Sequence, residues 1–388
     1  MAALVLVSLA LRPQLAGIGP LAGEIVGDLG VSHAFVGLLT TIPVLCMGLF
    51  APLGPVLAAR FGPRPAIALA AGSVAIAGLL RAAAPGDVPI LALTFAIGVA
   101  TAVAGPILAM FVRGALPDHR VAGTAAYAGG TTLGQALAAG VVVPVAVLLG
   151  GWRASIAAVS AASLLGVVAW LALTAGTAPA RGADGTATPA RRPRLPVRRP
   201  IVWALGVLFG TQSAVFYGTN AWLPSFYVER GWSAEAAAAL LAGSSLAGLA
   251  AIVIAPLASR RGMERRELLA TAAGSIVVGL GGVILVPALA WLWVALLGGG
   301  LGLMFTMVLT LPTDVTRDAE GAGGASALVM LVGYLVASAA PFLLGAVRDA
   351  TGSFAVSLWA LLALAATMLP MSWALSPDRL RAGAQARG

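Results

Sequence analysis

The stretch LAARFGPRPAIALA (residues 57–70) returns 200 residues later in the chain as LASRRGMERRELLA (257–270). At this offset the shared residues include Arg60 with Arg260, Gly62 with Gly262, and Leu69 with Leu269. A related turn precedes each copy, DLGVS (28–32) in the first and ERGWS (229–233) in the second. The sequence therefore predicts two copies of one structural unit, and Ser32 and Ser233 are placed to cap the helices that follow these turns.

The composition around this repeat is that of a membrane protein. Hydrophobic residues make up 60% of the 388 residues, and charged residues make up only 10%. Soluble domains need about 25% charged residues, so a water-soluble fold is excluded. Because a membrane-spanning helix needs about 20 apolar residues, the chain is long enough for twelve spans with loops between them.

We therefore predict an all-α polytopic membrane protein with twelve transmembrane helices in two pseudo-symmetric six-helix bundles. The predicted spans 1 to 12 lie near residues 2–27, 34–58, 66–84, 88–112, 121–148, 153–175, 200–228, 234–258, 267–286, 289–312, 321–346 and 353–375.

The predicted domains are an N-terminal bundle (1–175), a cytoplasmic linker (176–199), and a C-terminal bundle with a short cytoplasmic tail (200–388). The linker is rich in small residues, proline and arginine, a composition that cannot bury a core.

The basic residues are all arginines, and their placement predicts an orientation. Most fall in loops on the same side as the N-terminus, and the exceptions at the other ends are Arg81, Arg153, Arg230 and Arg348. The positive-inside rule then places both termini in the cytoplasm, and we expect the bacterial inner membrane. The net charge of +9 is explained by orientation in the bilayer, so no nucleic-acid partner is expected.

Both halves enter the membrane from the same side, which makes the repeat a parallel one. Repeats of this kind place a substrate site at their interface, near the middle of the bilayer.

The loop after span 2 resembles that of the major facilitator superfamily, which carries a G-x-L-A-D-R-x-G-R-R type motif. Leu57, Ala58, Arg60, Gly62 and Arg64 match this pattern. The acidic position is instead an alanine, and the second copy has a serine there, which weakens the charge relay that the family motif implies.

A narrower resemblance is to the cyanate and 2-nitroimidazole transporter branch of that superfamily. It rests on LALRPQLAGIGPLAGEIVGDLGVS (9–32), GLLTTIPVLCMGLFAPL (37–53) and GYLVASAAPFLLGAVRDATGSF (333–354). The resemblance implies a secondary carrier of a small polar or anionic solute, such as a cyanate-like anion, a nitroimidazole or a small carboxylate.

Arg12 is the leading candidate for substrate binding, because it lies near the centre of predicted span 1. An arginine at mid-membrane costs about 2.5–3.5 kcal/mol and normally faces a cavity or a partner. Pro13 removes a helix hydrogen bond beside it, and no other basic residue is expected so deep. In the alternative interpretation, span 1 starts later and Arg12 snorkels to the cytoplasmic edge.

Polar and aromatic residues on other spans are further candidates for substrate contact, with hydrogen bonding between helices as the alternative role. They recur at helical spacing on spans 5 and 7, and the family resemblance favours span 7 as cavity-lining. The candidates are Thr101, Tyr127, Thr131, Gln135, Gln212, Phe216, Tyr217, Asn220 and Tyr334.

Acidic residues are rare within the predicted spans. Glu24, in the outer part of span 1, is the one candidate for proton coupling, and its alternative role is a solvated helix end. Uncoupled movement driven by the gradient of the solute is therefore favoured.

Other classes of function fit less well. An enzyme within lipid would need a deep Ser–His pair, paired carboxylates or a metal cluster, so we expect no enzyme activity, cofactor or metal. A ligand sensor that uses the carrier fold without transport remains the alternative. We expect a monomer in the lipid bilayer whose partner is a small-molecule substrate, moved by alternating access around Arg12.

Overall fold

A computed structural model of the chain describes residues 1–176, 195–316 and 319–375. In these ranges eleven helices are long and apolar enough to cross a membrane, and a shorter apolar segment, Ala2–Ala16, precedes them. The predicted all-α fold class is confirmed. Most of the predicted linker and the tail beyond residue 375 lie outside the described residues.

The helices follow the twelve predicted spans in order. Their bounds are Ala2–Ala10, Pro13–Ala16 and Ala22–Leu29 in span 1, His33–Phe50 and Leu53–Phe61 in span 2, Pro63–Ala83, Asp87–Ala115, Arg120–Leu149 and Trp152–Leu173 in spans 3 to 6, Pro200–Glu229, Ala234–Arg260, Arg265–Leu285, Ala290–Asp314 and Ala319–Thr351 in spans 7 to 11, and Phe354–Ala366 with Met368–Ala374 in span 12.

Local sequence signals explain where several helices begin. Ser32 accepts a hydrogen bond from the Phe35 amide (3.1 Å), and Ser233 accepts one from the Ala236 amide (3.2 Å), which confirms both predicted caps. The repeat glycines also match, because Gly62 and Gly262 have φ values of 83° and 92°. A residue with a side chain rarely adopts a positive φ, so glycine has the same role at both turns.

Span 1 differs from the continuous helix predicted over residues 2–27. It breaks into three short helices, and the carbonyl of Gln14 accepts no hydrogen bond from the amide of Ile18. Pro13 has no amide hydrogen to donate, and Gly17, Gly19 and Pro20 follow closely. Proline and glycine both disfavour a continuous helix, so the break is a consequence of the local sequence.

Contacts between helix ends define one face of the bundle, which we call the far face because it lies opposite the N-terminus. The contacts there join Arg153 with Asp28 (3.3 Å), Arg153 with the carbonyl of Ala84 (2.9 Å), Ser353 with Glu229 (3.0 Å) and His33 with Asp349 (2.7 Å). The arginine distribution predicts this face to be the outer one.

The two halves meet mainly where span 2 packs on span 11 and span 5 packs on span 8. Midway along the first pair, the Thr41 hydroxyl donates to the carbonyl of Ser338 (2.6 Å) and accepts from the amide of Phe342 (3.2 Å). These two backbone groups flank Pro341, which interrupts the helical hydrogen bonds of span 11. A residue of one half therefore bridges backbone groups of the other.

At the far face, a carboxylate of the C-terminal half caps a helix of the N-terminal half. Asp349 accepts hydrogen bonds from the backbone amides of His33 (3.1 Å) and Ala34 (2.8 Å), at the start of span 2. Its carboxylate also contacts the ring of His33. A negative charge at a helix N-terminus is stabilised by the helix dipole, so this contact holds the halves together at the far face.

We expect Asp349→Asn to weaken closure at this face, because the neutral amide loses the charge that the helix start stabilises, typically about 0.3–1 kcal/mol. In Asp349→Asn, spin labels attached at Leu148→Cys and Leu289→Cys in a Cys46→Ala background would show a larger share of long label-to-label distances. Asp87→Asn is the matched control, since the Asp87 carboxylate accepts a hydrogen bond from the amide of Val88 (2.8 Å), in the first turn of its own helix. Equal distance distributions in all three proteins would contradict this role for Asp349.

Candidate functional site

Arg12 lies at the break in span 1, immediately before the short helix Pro13–Ala16. Its carbonyl accepts hydrogen bonds from the amides of Leu15 (3.1 Å) and Ala16 (3.2 Å), so its backbone forms the N-cap of this helix. The side chain is half-buried. Within the part of the chain that the structure describes, it has no hydrogen-bond or ion-pair partner.

Two tyrosines of the C-terminal half accompany Arg12. The guanidinium acts electrostatically on the Tyr334 phenol, which also lies near Tyr217. The Tyr217 hydroxyl lies 3.5 Å from the sulfur of Met47 on span 2. Arg12, Tyr217 and Tyr334, predicted separately from spans 1, 7 and 11, are therefore brought together where the two halves meet.

Aromatic rings extend this group along span 7. Phe216 packs edge-on against Tyr217, with centroids 5.1 Å apart, and Phe209 packs edge-on against Tyr334 at 5.4 Å. Phe305 of span 10 lies 6.2 Å from Phe209. Edge-to-face pairs in this range of distances contribute stability in addition to the burial of apolar area, so the rings form an ordered aromatic cluster.

Gln135 and Asn220 form a different kind of contact. The Gln135 amide donates to the Asn220 side-chain oxygen (3.0 Å), and the Asn220 amide donates to the carbonyl of Phe216 (2.8 Å). Both residues are buried. Their mutual hydrogen bond joins span 5 to span 7 across the two halves, which is the interhelical role named as the alternative to substrate contact.

Two other predicted residues, Gln212 and Thr131, have partners within their own half, and a third, Thr101, has none among the described residues. Gln212 donates to the carbonyl of Leu301 (3.4 Å) and accepts from Ser213 (3.1 Å). The Thr131 hydroxyl donates to the carbonyl of Ala128 on its own helix (2.7 Å). Thr101 is buried, and its hydroxyl has no partner among the described residues.

Among the described residues, neither Tyr127 nor Glu24 has a hydrogen bond, ion pair or ring contact with Arg12 or its aromatic neighbours. Tyr127 is half-buried and lies near Arg113, in the last turn of span 4. Glu24 is exposed in the first turn of the helix Ala22–Leu29. The structure therefore does not bring Glu24 into contact with the residues around Arg12.

Arg81 corrects the expectation of a single deep basic residue. Predicted at an outer helix end, it is 1% exposed, and its guanidinium donates to the Gln14 carbonyl (3.0 Å) and side-chain oxygen (2.9 Å). Gln14 lies only two residues from Arg12. Arginine has a long side chain, and position along the helix alone did not reveal how far it reaches inward.

Met47 and Phe209, which were not among the predicted residues, contact the two tyrosines. A helical-spacing signal existed for Phe209, because it precedes Gln212 and Phe216 by three and seven residues. Residues at these intervals share one face of a helix.

Chemically, this arrangement offers the Arg12 guanidinium, which is unpaired among the described residues, beside phenol groups and aromatic rings. A guanidinium presents a planar fork of donors that suits carboxylates and other flat anions. Aromatic walls add apolar contact for a flat solute. By contrast, Arg153 and Arg348 at the far face are each paired with a carboxylate.

Sequence comparisons place this chain close to known transporters. The family model described as Major Facilitator Superfamily matches residues 4–341. The chain is 30% identical to the cyanate transport protein CynX of Escherichia coli (strain K12) over 366 residues, covering 93% of this chain and 92% of the relative. It is 28% identical to the 2-nitroimidazole transporter of the same organism over 359 residues, covering 92% and 90%.

Solved structures share the fold at low sequence identity. A D-xylose-proton symporter superposes with a TM-score of 0.77 at 17% identity, covering 97% of each chain. A bacterial homologue of the human lysosomal transporter Spinster, in an inward-facing and occupied conformation, gives 0.73 at 18% identity, covering 99% of this chain and 94% of the other. Both comparisons support the fold.

We expect Gly19→Ala to destabilise the protein, because a Cβ at this position would overlap the backbone oxygen of Asn220 in the other half. Overpacking of this kind costs about 1–3 kcal/mol. Gly23→Ala in the same span is the matched control, since its Cβ would meet nothing within 4 Å. Thermal unfolding in detergent should show a lower midpoint for Gly19→Ala alone, and equal midpoints would contradict the close approach.

Proposed function

The chain belongs to the Major Facilitator Superfamily, and from this premise we propose that it moves a small polar or anionic solute across the membrane by alternating access around Arg12. That it is a secondary transporter follows from the family and from its relatives. The proposal adds the class of solute and the residue that binds it.

The observation that carries the proposal is the half-buried guanidinium of Arg12, which has no partner within the described ranges of the chain. A charge taken partly out of water without a counter-ion is costly, and an anion arriving beside it removes that cost. Tyr217 and Tyr334 belong to the opposite half. A solute bound to Arg12 would therefore contact both halves, as alternating access requires.

The relatives support the same range of solutes. One is named for cyanate and the other for 2-nitroimidazole. Cyanate is a small anion, and a nitroimidazole is a flat ring with a polar nitro group. An arginine with a planar donor fork beside aromatic rings suits both, and a small carboxylate equally.

The contacts between the halves support the alternating-access part of the proposal. They include the Asp349 cap at the far face and the Gln135–Asn220 hydrogen bond. For the solute to leave through the far face, these contacts must open. We therefore assign them to the gate on that side, which the arginine distribution predicts to be the outside.

Arg12 accounts for anion binding without a proton. An arginine remains protonated under physiological conditions, so its charge neutralises an anion in every step of the cycle. Glu24, the candidate for proton coupling, is exposed. We therefore favour movement down the solute's own gradient.

We expect Arg12→Gln to raise the KM for anionic solutes roughly 10- to 100-fold, because a hydrogen bond to a charged group is worth about 1.5–3 kcal/mol. The purified protein would be placed in liposomes, and uptake of labelled cyanate, acetate and 2-nitroimidazole followed. Arg120→Gln is the matched control, since Arg120 is exposed at the start of its helix.

Normal uptake by Arg12→Gln would reject Arg12 as the binding residue. If the wild-type protein binds one of the three solutes and moves none, the ligand-sensor alternative would be supported instead.

The same liposomes test coupling. Since we assign no proton pathway to Glu24, we expect the uptake rate to be equal with and without an inward proton gradient. We also expect Glu24→Gln to leave both of these uptake rates unchanged. Stimulation by the gradient that disappears in Glu24→Gln would overturn uncoupled movement and identify Glu24 as the coupling residue.

A further inference from the structure

We propose that Arg81 is a positioning residue that holds the break in span 1 and thereby sets where Arg12 lies. The inference rests on the proposed function for the importance of Arg12, but its structural part can be tested separately.

The break leaves a backbone group in need of a partner. The Gln14 carbonyl accepts no hydrogen bond from the amide of Ile18. An unsatisfied carbonyl inside the membrane costs several kcal/mol. Arg81 supplies the missing donor, at 3.0 Å from that oxygen. The break and the buried arginine therefore depend on each other.

The side chain of Gln14 joins the same network. Its oxygen accepts from Arg81 (2.9 Å), and its amide donates to the Ser160 hydroxyl (2.6 Å). Ser160 in turn donates to the carbonyl of Ile156 (2.6 Å). Span 1 is thus tied at one residue to spans 3 and 6, and the polar atoms of Gln14 are used on both sides.

Arg81 has little freedom to serve elsewhere. Its side chain is 1% exposed, and its other described hydrogen bond goes to Thr94 (3.4 Å). The described hydrogen bonds of its guanidinium go to neutral oxygens, and no carboxylate is among them. A guanidinium with several fixed donors suits bridging of this kind better than lysine does.

Gly78 completes the arrangement. A Cβ at this position would lie 2.6 Å from both the Gln14 side-chain carbon and the Ser160 hydroxyl. A side chain at residue 78 would therefore need Gln14 or Ser160 to move. The substitution Gly78→Ala would displace Gln14 and leave the charge of Arg81 in place, so it separates position from charge.

The first test measures the position of residue 12 directly. Cys46 is the chain's single cysteine, so Arg12→Cys in a Cys46→Ala background carries one reactive thiol. We expect its labelling rate by a small methanethiosulfonate reagent to change when Arg81→Gln is added, and also when Gly78→Ala is added. Arg230→Gln, at an exposed far-face residue, is the control and should leave the rate unchanged.

The second test measures transport with Arg12 present. We expect Arg81→Gln and Gly78→Ala each to raise the KM for labelled cyanate about tenfold, as for the loss of one charge-assisted hydrogen bond. In the Arg12→Gln background neither substitution should raise the KM further, because the residue that they position is gone. A purely structural defect would instead add to the loss.

The proposal is overturned if Arg81→Gln and Gly78→Ala fold normally and leave both the labelling rate and the KM as in the parent proteins. If Arg81→Gln does not fold, Gly78→Ala decides by the same two measurements. If Arg12→Gln transports normally, the proposed function fails, but a changed labelling rate would still support the positioning role.

Discussion

The break in span 1 is the feature on which the rest of the site depends. Pro13 and the glycines that follow it interrupt the helix in the membrane, and the freed carbonyl of Gln14 is satisfied by the buried Arg81. A continuous helix would carry Arg12 as one more side chain on its surface. With the break, Arg12 caps a short helix and stays partly exposed beside the other half.

Two arginines at this point have opposite roles. Arg81 is fully buried and bound to neutral oxygens, whereas Arg12 is half-buried and unpaired among the described residues. A buried cation with its donors engaged is a structural element, and a cation with free donors is ready for a ligand. The protein thus separates holding the backbone from binding the solute.

Much of the fold follows from the sequence because it depends on local signals. Apolar runs predicted the twelve spans, and Ser32 and Ser233 predicted two helix starts that the structure confirms. Gly62 and Gly262 have similar positive φ values in the two copies of the repeat. Each of these features depends on a few neighbouring residues and their elementary geometry.

The partners of side chains depend on distant segments, and the sequence did not predict them. Gln135 and Asn220 looked like two separate candidates for substrate contact, yet they bind each other across 85 residues of chain. Arg81 counted as an outer charge because its position on the helix does not reveal the reach of its side chain. Substrate contact by Gln135 and Asn220 stays a prediction.

Equilibrium binding of labelled cyanate to the purified protein measures the Arg12 site without the transport cycle. We predict saturable binding that is lost in Arg12→Gln, partly kept in Arg12→Lys and unchanged in Arg120→Gln. Equal affinity in the wild-type protein and Arg12→Gln would contradict this prediction.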